Sequence, residues 1–149
     1  MKVPESVLVV IYTRTGEALL IERADHPGFW QSVTGSKETP DEPLLLTCQR
    51  EVFEETGIGV EQSAFEDWHI QHRYEIYAHW RGRYPEGTTH NLEHVFGLRL
   101  TQPCEIKLAP KEHLAYQWLP IAQASEQCFS WTNAGALKSC LRYLGSDGT

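Results

Sequence analysis

Three glutamates within one turn of a predicted helix are the residues of this sequence best suited to chemistry. Glu51, Glu54 and Glu55 lie in the segment GSKETPDEPLLLTCQREVFEETGI, which spans residues 35–58 and opens with a glycine-containing loop. At 3.6 residues per turn, positions 51 and 55 are about 40° apart and position 54 about 60° to the other side. Like charges at this spacing destabilise an isolated helix by about 0.2–0.5 kcal/mol per pair. A hard cation such as Mg²⁺, which prefers carboxylate and phosphate oxygens, would offset that repulsion.

Composition limits the classes to which the chain can belong. Its 149 residues fit one domain, spanning 1–149, and 41% apolar with 22% charged residues is ordinary for a globular protein. The net charge of -7 argues against a nucleic-acid or anionic-membrane surface. No run approaches 18 apolar residues, and the N-terminus lacks a signal-peptide pattern. The four cysteines have no C-x-x-C spacing, which indicates reduced thiols in a cytoplasmic protein.

The elements that must position the glutamates are predicted to be a mixed sheet with helices packed on it. Apolar and β-branched runs predict strands at Ser6–Tyr12, Ala18–Arg23, Trp30–Thr34, Trp68–Tyr77, Leu92–Leu100 and Tyr116–Leu119. Polar segments with Gly or Pro predict loops at Asp25–Gly28 and Arg81–Thr89. Helices are expected at Pro120–Cys128 and Asn133–Leu144, and the last five residues are expected to fray.

The glutamate-bearing helix has two tenable starting points. Thr39 and Glu42 fit a capping box with Thr39 as the N-cap, whereas Pro43 in the first helical position fits equally well. Gly57 is expected as the left-handed residue that ends the helix. The residues expected to face the core are Leu44, Leu45, Cys48, Val52 and Phe53.

This segment resembles the Nudix box, the signature of hydrolases that cleave nucleoside diphosphates linked to another group. The box is Gly, five residues, Glu, seven residues, then Arg-Glu-apolar-x-Glu-Glu-x-Gly-apolar, and residues 50–58 (REVFEETGI) match every defined position. Six residues rather than five separate Gly35 from Glu42. Aligning Asp41 instead would lengthen the second gap to eight, and a helix fixes spacing more rigidly than a loop. We therefore align Glu42 and expect the departure to alter only the loop Lys37–Asp41.

Segments outside the box resemble one Nudix subfamily, the dihydroneopterin triphosphate pyrophosphatases, over nearly the whole chain. They are FWQSVTGS (29–36), HRYEIY (72–77), RYPEGTTHN (83–91), EHLAYQWL (112–119) and SWTN (130–133). The resemblance implies an α/β fold, the Nudix α/β/α sandwich around a mixed β-sheet. It also implies Mg²⁺ as cofactor, with Mn²⁺ as an alternative. The implied reaction is hydrolysis of dihydroneopterin triphosphate to dihydroneopterin monophosphate and pyrophosphate, in folate biosynthesis.

The resemblance also implies catalytic roles for four glutamates. Glu51 and Glu55 match the metal-binding positions of the box, and Glu112 matches a further metal-linked carboxylate. Glu54 is expected to ligate a second ion or orient water, while Glu112 is expected to accept a proton, with His113 as its rival. Within the box, Glu42 is expected to support the loop–helix junction and Arg50 to pair with a glutamate.

The remaining predicted site residues would contact substrate. Arg23 matches a phosphate-binding arginine of the subfamily, and Lys2 and Thr34 could add further phosphate contacts. The strand segment Tyr74, Glu75, Ile76, Tyr77 matches the substrate pocket, where rings could stack on a pterin; the alternative is ordinary strand core. Ser130 matches another contact position, or else caps the last helix.

Two other functions fit parts of this pattern. A Nudix hydrolase acting on nucleoside triphosphates such as dATP would share the box and differ in its pocket. A non-catalytic nucleotide-binding module would keep the fold, although such modules usually lack the box glutamates that are present here. In each case the partner is a small molecule. The number of metal ions, the phosphorus attacked and the oligomeric state are left open.

Overall fold

The computed structural model describes residues 1–144, whose sheet has seven strands. The strands are β1 (Glu5–Thr13), β2 (Glu17–Arg23), β3 (Trp30–Gln31), β4 (Val33–Ser36), β5 (Phe65–Glu75), β6 (His90–Leu100) and β7 (His113–Pro120). The α-helices are α1 (Leu44–Thr56), α2 (Ile121–Gln127) and α3 (Trp131–Leu144), and 3-10 turns cover Gln62–Ala64 and Ala78–Arg83. Within residues 1–144, no helix is long and apolar enough to cross a membrane. The five C-terminal residues, predicted to fray, lie outside the described range.

Strand β1 lies at the centre of the sheet. The order is β3-β2-β1-β6-β5, with β4 paired to β1 and β7 paired to β2. β1 runs parallel to β6 along its whole length, whereas the other described pairs are antiparallel. The sheet is therefore mixed, as the sequence predicts.

Both faces of β1 are buried, which explains why its sequence is a continuous apolar run rather than an alternating one. One face packs against α1, through Val7, Val9, Ile11, Cys48 and Val52. The other packs against α2 and α3, through Leu8, Val10, Tyr12, Ile121, Ala136 and Leu137. Full burial of such an aliphatic side chain contributes about 1.5–3 kcal/mol relative to exposure. The predicted α/β/α sandwich is confirmed.

Helix α1 begins later than the capping box predicts, so that interpretation is wrong. Pro43 is the N-cap residue, with extended backbone (φ −62°, ψ 138°), and Leu44 is the first helical residue. The hydroxyl of Thr39 instead donates to the carboxylate of Asp41 at 2.8 Å. Since proline has no N–H, it is best accommodated where the helix has not yet formed its hydrogen bonds. The alternative start at Pro43 is therefore off by one residue.

The rest of α1 follows the predicted pattern with one exception. Cys48 and Val52 are fully buried, and Leu44 and Leu45 pack against the same core. Phe53 does not face the core, since it is 60% exposed. Gly57 has left-handed backbone (φ 78°), and its N–H donates to the carbonyl of Phe53 at 2.9 Å, so the predicted helix end is confirmed.

Two predicted strands differ in detail because of their pairing partners. The predicted single strand Trp30–Thr34 is divided at Ser32, because β3 pairs with β2 and β4 pairs with β1. The predicted strand Trp68–Tyr77 begins earlier, at Phe65, and contains a bulge where His69 has φ 56°. The N–H of His69 donates to the Asp67 side chain at 2.8 Å, which satisfies the donor that the bulge removes from the ladder.

Three further boundaries shift by a few residues. The predicted loop Arg81–Thr89 begins inside the 3-10 turn Ala78–Arg83. Strand β7 extends the predicted Tyr116–Leu119 to His113–Pro120 by pairing along β2, and α3 begins at Trp131 rather than Asn133. The longer β7 brings the Glu112 position to the edge of the sheet.

The sheet divides where β1 leaves β2. The two strands pair at Tyr12 and Ala18, after which β4 takes over as the neighbour of β1 along residues 6–9. Strand β2 continues with β3 and β7 instead. A cavity opens in this division and is lined from both halves of the sheet.

Candidate active site

A cavity of about 420 Å³ occupies the division between β1 and β2. Its walls come from the sheet, from α1 and from the segment after β5. Residues distant in sequence meet here. Seven residues of the predicted site line it: Lys2, Arg23, Thr34, Glu51, Glu55, Tyr74 and Glu112.

Glu51 and Glu55 form part of the cavity wall. We call these two residues and Glu112 the acidic wall. Residues four apart share a helix face, so α1 turns both carboxyl groups inward, and only 9% and 4% of the two residues are exposed. Gly35 of β4 lies against Glu51, and a Cβ on Gly35 would overlap the Glu51 side chain. The glycine is therefore required by a close approach, not by a positive φ.

Burial dominates the electrostatics of the acidic wall. It raises the pKa of Glu51 to about 7; Arg50 acts in the opposite direction, and Glu54 and Glu112 add to the increase. Burial also raises the pKa of Glu55 well above its ordinary value, reinforced by Glu51 and Glu112. Buried carboxyl groups that repel one another favour uptake of a proton or of a cation.

The chemistry of the acidic wall fits a divalent cation. Oε1 of Glu55 is buried and has no hydrogen-bond partner within residues 1–144. Carboxylate oxygens are the ligands that Mg²⁺ and Mn²⁺ prefer. Glu51, Glu55 and Glu112 would supply them. In the described part of the chain no three such side chains are already drawn together around one point, so a bound ion would have to bring the carboxylates closer.

Arg50 and Glu42 tie the loop to α1 behind the acidic wall. Nη2 of Arg50 donates to Oε1 of Glu42 at 2.8 Å and to the Ser36 carbonyl at 3.0 Å. Glu42 also accepts from the Thr47 hydroxyl at 2.7 Å. The expected roles of Glu42 and Arg50 are confirmed. The additional loop residue is accommodated by a turn in which the Glu42 N–H donates to the Thr39 carbonyl, and this keeps Glu42 within reach of Arg50.

Basic side chains also line the cavity, where their charges act on the glutamates. Arg23, at the end of β2, donates from Nε and Nη2 to the two oxygens of Asp25 at 2.7 Å each, and from Nη1 to Gln31 at 3.4 Å. The Arg23 hydrogen bonds lower the pKa of Asp25 to about 2. Desolvation, followed by the charges of Arg83 and Arg23, lowers the pKa of Lys2. These three cationic side chains are therefore close enough to repel one another.

We call Lys2, Arg23 and Arg83 the cationic wall. The segment after β5 contributes Arg83 and the adjacent rings of Trp80 and Tyr84, none of which was predicted as a site residue. Arg23 and Arg83 lie 4.9 Å and 5.8 Å from the ring centroid of Trp80, and Lys2 lies 5.9 Å from that of Tyr84. All five line the cavity. The interleaved aromatic and basic residues of HWRGRY (79–84) were the available signal, but the predicted loop began only at Arg81 and no residue of this segment was assigned to the site.

Polar residues of β1, β5 and β6 form the floor of the cavity. Nδ2 of Asn91 donates to the Ser6 hydroxyl at 2.8 Å and to the Tyr74 hydroxyl at 3.1 Å. Asn91 is 1% exposed, and its Oδ1 has no partner within residues 1–144. This network holds the Tyr74 ring at the cavity edge. Asn91 was not among the site residues predicted from the sequence.

The arrangement of a glutamate helix, its supporting glycine loop and a mixed sheet agrees with a family comparison. The family profile described as the NUDIX domain matches residues 2–140. The chain belongs to the Nudix family. Nudix hydrolases generally use divalent metal ions, which agrees with the chemistry of the acidic wall.

Individual Nudix relatives match over most of their length. The dihydroneopterin triphosphate diphosphatase of Escherichia coli (strain K12) is 43% identical over 140 residues, covering 92% of this chain and 91% of that protein. The protein of the same name from Haemophilus influenzae is 38% identical, covering 92% and 87%. The solved structure of the E. coli dihydroneopterin triphosphate pyrophosphohydrolase matches with a TM-score of 0.86 at 39% identity, covering 95% of this chain and 97% of that chain.

Two predicted site residues do not line the cavity: Glu54 lies in α1, and Ser130 lies immediately before α3. Glu54 projects outward from α1, with 52% of its side chain exposed and Arg50 at 3.8 Å. Ser130 precedes α3, and its Oγ accepts from the Asn133 N–H at 3.2 Å, which is the N-cap arrangement offered as the alternative. The catalytic role of Glu54 and the substrate contact of Ser130 stay predictions.

The segment after Tyr74 also turns away from the cavity. Glu75 pairs with Arg81 at 2.8 Å, and Ile76 is 3% exposed. Tyr77 is half exposed, and its ring lies 5.4 Å from that of Trp80 and 6.0 Å from that of Phe129. Tyr77 therefore touches the cavity wall through Trp80 rather than lining it. Substrate contacts by Glu75, Ile76 and Tyr77 stay predictions.

His113 lies beside the acidic wall at the start of β7. Its Nε2 is 3.6 Å from Oε1 of Glu55, and its buried Nδ1 has no partner within residues 1–144. Burial, with the nearby charge of Arg23, lowers the pKa of His113 to about 4. The imidazole is consequently neutral near pH 7.

Proposed function

We propose that this Nudix protein hydrolyses dihydroneopterin triphosphate to dihydroneopterin monophosphate and pyrophosphate, with Mg²⁺ as cofactor and Mn²⁺ as an alternative. Its 43% and 38% identical relatives are dihydroneopterin triphosphate diphosphatases, which supports the substrate. The observation that carries the reaction is one cavity lined both by buried carboxylates of α1 and by basic side chains. Carboxylates can bind a metal ion and basic side chains can bind phosphate oxygens, so this cavity suits a metal-bound polyphosphate better than an uncharged ligand.

The acidic wall would bind the ion through Glu51, Glu55 and Glu112. A bound Mg²⁺ would neutralise phosphate charge and lower the pKa of a coordinated water. The contribution of α1 is positional, because Gly35 allows the Glu51 carboxylate to rest on β4 and Arg50 fixes the loop against the helix. These contacts position α1 and the loop before substrate arrives, so only the carboxylate side chains would have to move when the ion binds.

The cationic wall would hold the polyphosphate. Arg23 is fixed by its two hydrogen bonds to Asp25, which leaves N–H groups of Nη1 and Nη2 for phosphate oxygens. Lys2 adds a point charge, and Thr34 lines the same cavity with its hydroxyl near Gln31 at 3.2 Å. Negative charge that develops during cleavage of the phosphoanhydride would be stabilised by these groups.

A proton must leave the attacking water, and Glu112 is our candidate to accept it. It lines the cavity beside Glu51 and Glu55, on which its charge acts, and its backbone is fixed by the Ala24 N–H, which donates to the Glu112 carbonyl at 2.8 Å. His113 is a weaker candidate, because its pKa of about 4 makes it a poor base near neutral pH.

The far end of the cavity would receive the pterin. Tyr74 offers an aromatic ring at the cavity edge, so a planar heterocycle has a face to stack on. The net charge of -7 supports a small-molecule partner rather than nucleic acid. The four free cysteines support the predicted location in the reducing cytoplasm.

Relative turnover of two triphosphates tests the proposed substrate. We expect kcat/KM for dihydroneopterin triphosphate to exceed that for dATP by about 100-fold or more with Mg²⁺ present, and the phosphorus product to be pyrophosphate rather than orthophosphate. Chromatography of the pterin product with a coupled pyrophosphate assay measures both. Equal or better turnover of dATP would move the substrate to nucleotides, and binding without turnover would favour the non-catalytic module.

A further inference from the structure

We propose that Arg83 is a third polyphosphate-binding cation of this cavity, alongside Lys2 and Arg23. The inference rests on the proposed function and extends it to a residue outside the Nudix box. Arg83 ends the 3-10 turn that follows β5 and lines the cavity. No position of this turn carries a role in the predicted site.

A backbone hydrogen bond joins Arg83 to Lys2. The N–H of Lys2 donates to the Arg83 carbonyl at 2.7 Å, although the two residues are far apart in the chain. Both side chains therefore depart from one fixed point at the cavity edge. The rings of Trp80 and Tyr84 lie under them, at 5.8 Å from Arg83 and 5.9 Å from Lys2.

The charges in this corner do not balance. Asp25 is the acid in contact with the cationic wall, and both of its oxygens already accept from Arg23 at 2.7 Å. Nη2 of Arg83 reaches the same carboxylate only at 3.5 Å, and Lys2 makes no ion pair within residues 1–144. Asp25 is thus the ion-pair partner of these cations within residues 1–144. The charges of Glu51 and Glu55 also act on Lys2, but less strongly than those of Arg83 and Arg23, so positive charge is in excess around Lys2. Such an excess is unfavourable in the free protein and is relieved when an anionic ligand binds.

The guanidinium of Arg83 also has the freedom to reach a ligand. Its side chain is 46% exposed, whereas that of Arg23 is 22% exposed and held by two short hydrogen bonds. A guanidinium presents five N–H donors in a planar fork that matches two phosphate oxygens. Arg83 is therefore suited to close on a polyphosphate that Arg23 and Lys2 have positioned.

Calorimetric titration with inorganic pyrophosphate and Mg²⁺ tests the inference without any pterin. We expect Arg83→Gln to weaken pyrophosphate binding about tenfold, the effect of losing one charged hydrogen bond, and to reduce the dependence of affinity on salt. Arg83→Lys should recover part of the affinity, since it restores the charge but not the fork. The control is Arg73→Gln, which makes the same charge change on an exposed β5 residue next to Tyr74, on the opposite face of the strand.

Kinetics supply the second readout. With the best triphosphate substrate, Arg83→Gln should raise KM about tenfold and change kcat less than threefold. Equal pyrophosphate affinity for Arg83→Gln and Arg73→Gln would overturn the inference, as would undetectable binding to the native protein. If pyrophosphate binding depends on Arg83 but dihydroneopterin triphosphate is not hydrolysed, the proposed substrate fails while the assignment of Arg83 stands.

Discussion

The two walls of the cavity are built by different kinds of structure. The acidic wall takes Glu51 and Glu55 from adjacent turns of one helix, whose hydrogen bonds fix their spacing. The cationic wall takes Lys2, Arg23 and Arg83 from the N-terminal segment, the end of β2 and a 3-10 turn. The helix part of the acidic wall is rigid and local in sequence, and only Glu112 joins it from elsewhere. The cationic wall is assembled entirely by tertiary contacts between short segments.

This difference separates two tasks. A cation and its water must be held in one geometry during the reaction, which a helix does well. A charged substrate must enter and leave, which suits side chains held by contacts worth about 0.5–1 kcal/mol each, such as those between guanidinium groups and Trp80. Damage to the acidic wall should therefore lower kcat, whereas damage to the cationic wall should raise KM.

Gly35→Ala attacks the acidic wall where it rests on β4. The new Cβ would overlap the Glu51 side chain, so the carboxylate has to move. We expect kcat to fall about 100-fold and KM to change less than threefold, because a displacement of about 1 Å can have an effect of this size. Gly59→Ala is the control, since a Cβ there makes only ordinary contacts with Phe53. A rise in KM at constant kcat would break the proposed division of tasks.

Trp80→Ala attacks the cationic wall by removing the ring under Arg23 and Arg83. Loss of two cation–π contacts should raise KM about tenfold while kcat stays within threefold. Trp131→Ala removes an indole that is 66% exposed and outside the cavity wall, so it should leave both constants unchanged. Steady-state kinetics on both variants would contradict the comparison if kcat fell and KM did not rise.

Stability against pH should distinguish the walls in a second way. The pKa of Glu51 is raised to about 7, so the folded state binds more protons than the unfolded chain between about pH 4.5 and 7. The stability due to this group is therefore greatest below pH 4.5 and falls, by up to about 1.4 kcal/mol per pH unit, as pH rises through that window.

Saturating Mg²⁺ should cancel this loss, because it binds the ionised form of the folded protein. Urea midpoints at pH 5 and pH 8, in EDTA and in Mg²⁺, measure both effects. In Glu51→Gln the pH dependence should be smaller and the gain from Mg²⁺ should be reduced. The same fall in stability with and without Mg²⁺ would count against the acidic wall as the ion site.

Gly57→Ala should affect the scaffold alone. Its φ of 78° strains an L-residue, and the new Cβ would lie 3.0 Å from Cβ of Lys107. We expect a loss of about 1 kcal/mol in the free energy of unfolding, with kcat/KM within twofold of native. Gly135→Ala, in α3, should instead stabilise the protein by up to about 1 kcal/mol, since nothing lies near its Cβ. Chemical denaturation measures both.

The helix part of the acidic wall was predictable because its information is local, whereas Glu112 was predicted only from the resemblance to the subfamily. Helix geometry follows from a 3.6-residue period, so the shared face of Glu51 and Glu55 and the left-handed Gly57 could be derived from spacing alone. The predicted helix start at Thr39 was wrong because the helix begins after Pro43. Both starts fit the local sequence, so the local pattern could not distinguish them. Phe53 failed because an apolar residue at the edge of a helix face carries no signal of its own exposure.

The cationic wall was only partly predictable for the opposite reason. Arg23 was found at a strand end, but Trp80, Arg83 and Asn91 reach the cavity through strand pairing and turn packing that no local pattern encodes. Strand β5 ends at Glu75, and the chain then turns, which carries Tyr77 away from the cavity. The predicted strand continued through Tyr77, so this change of direction was not expected. Such positions depend on contacts between segments distant in sequence.

Pyrophosphate release from dihydroneopterin triphosphate, measured in Mg²⁺ for the native protein and for Glu51→Gln, shows whether the reaction depends on the acidic wall. The substitution keeps the shape of the side chain and removes its charge, so the fold should persist while ion binding fails. We expect release by the native chain and a fall in kcat of about 1,000-fold or more in the variant. Comparable release by both proteins, with far-UV and near-UV circular dichroism unchanged, would contradict a reaction that depends on the acidic wall.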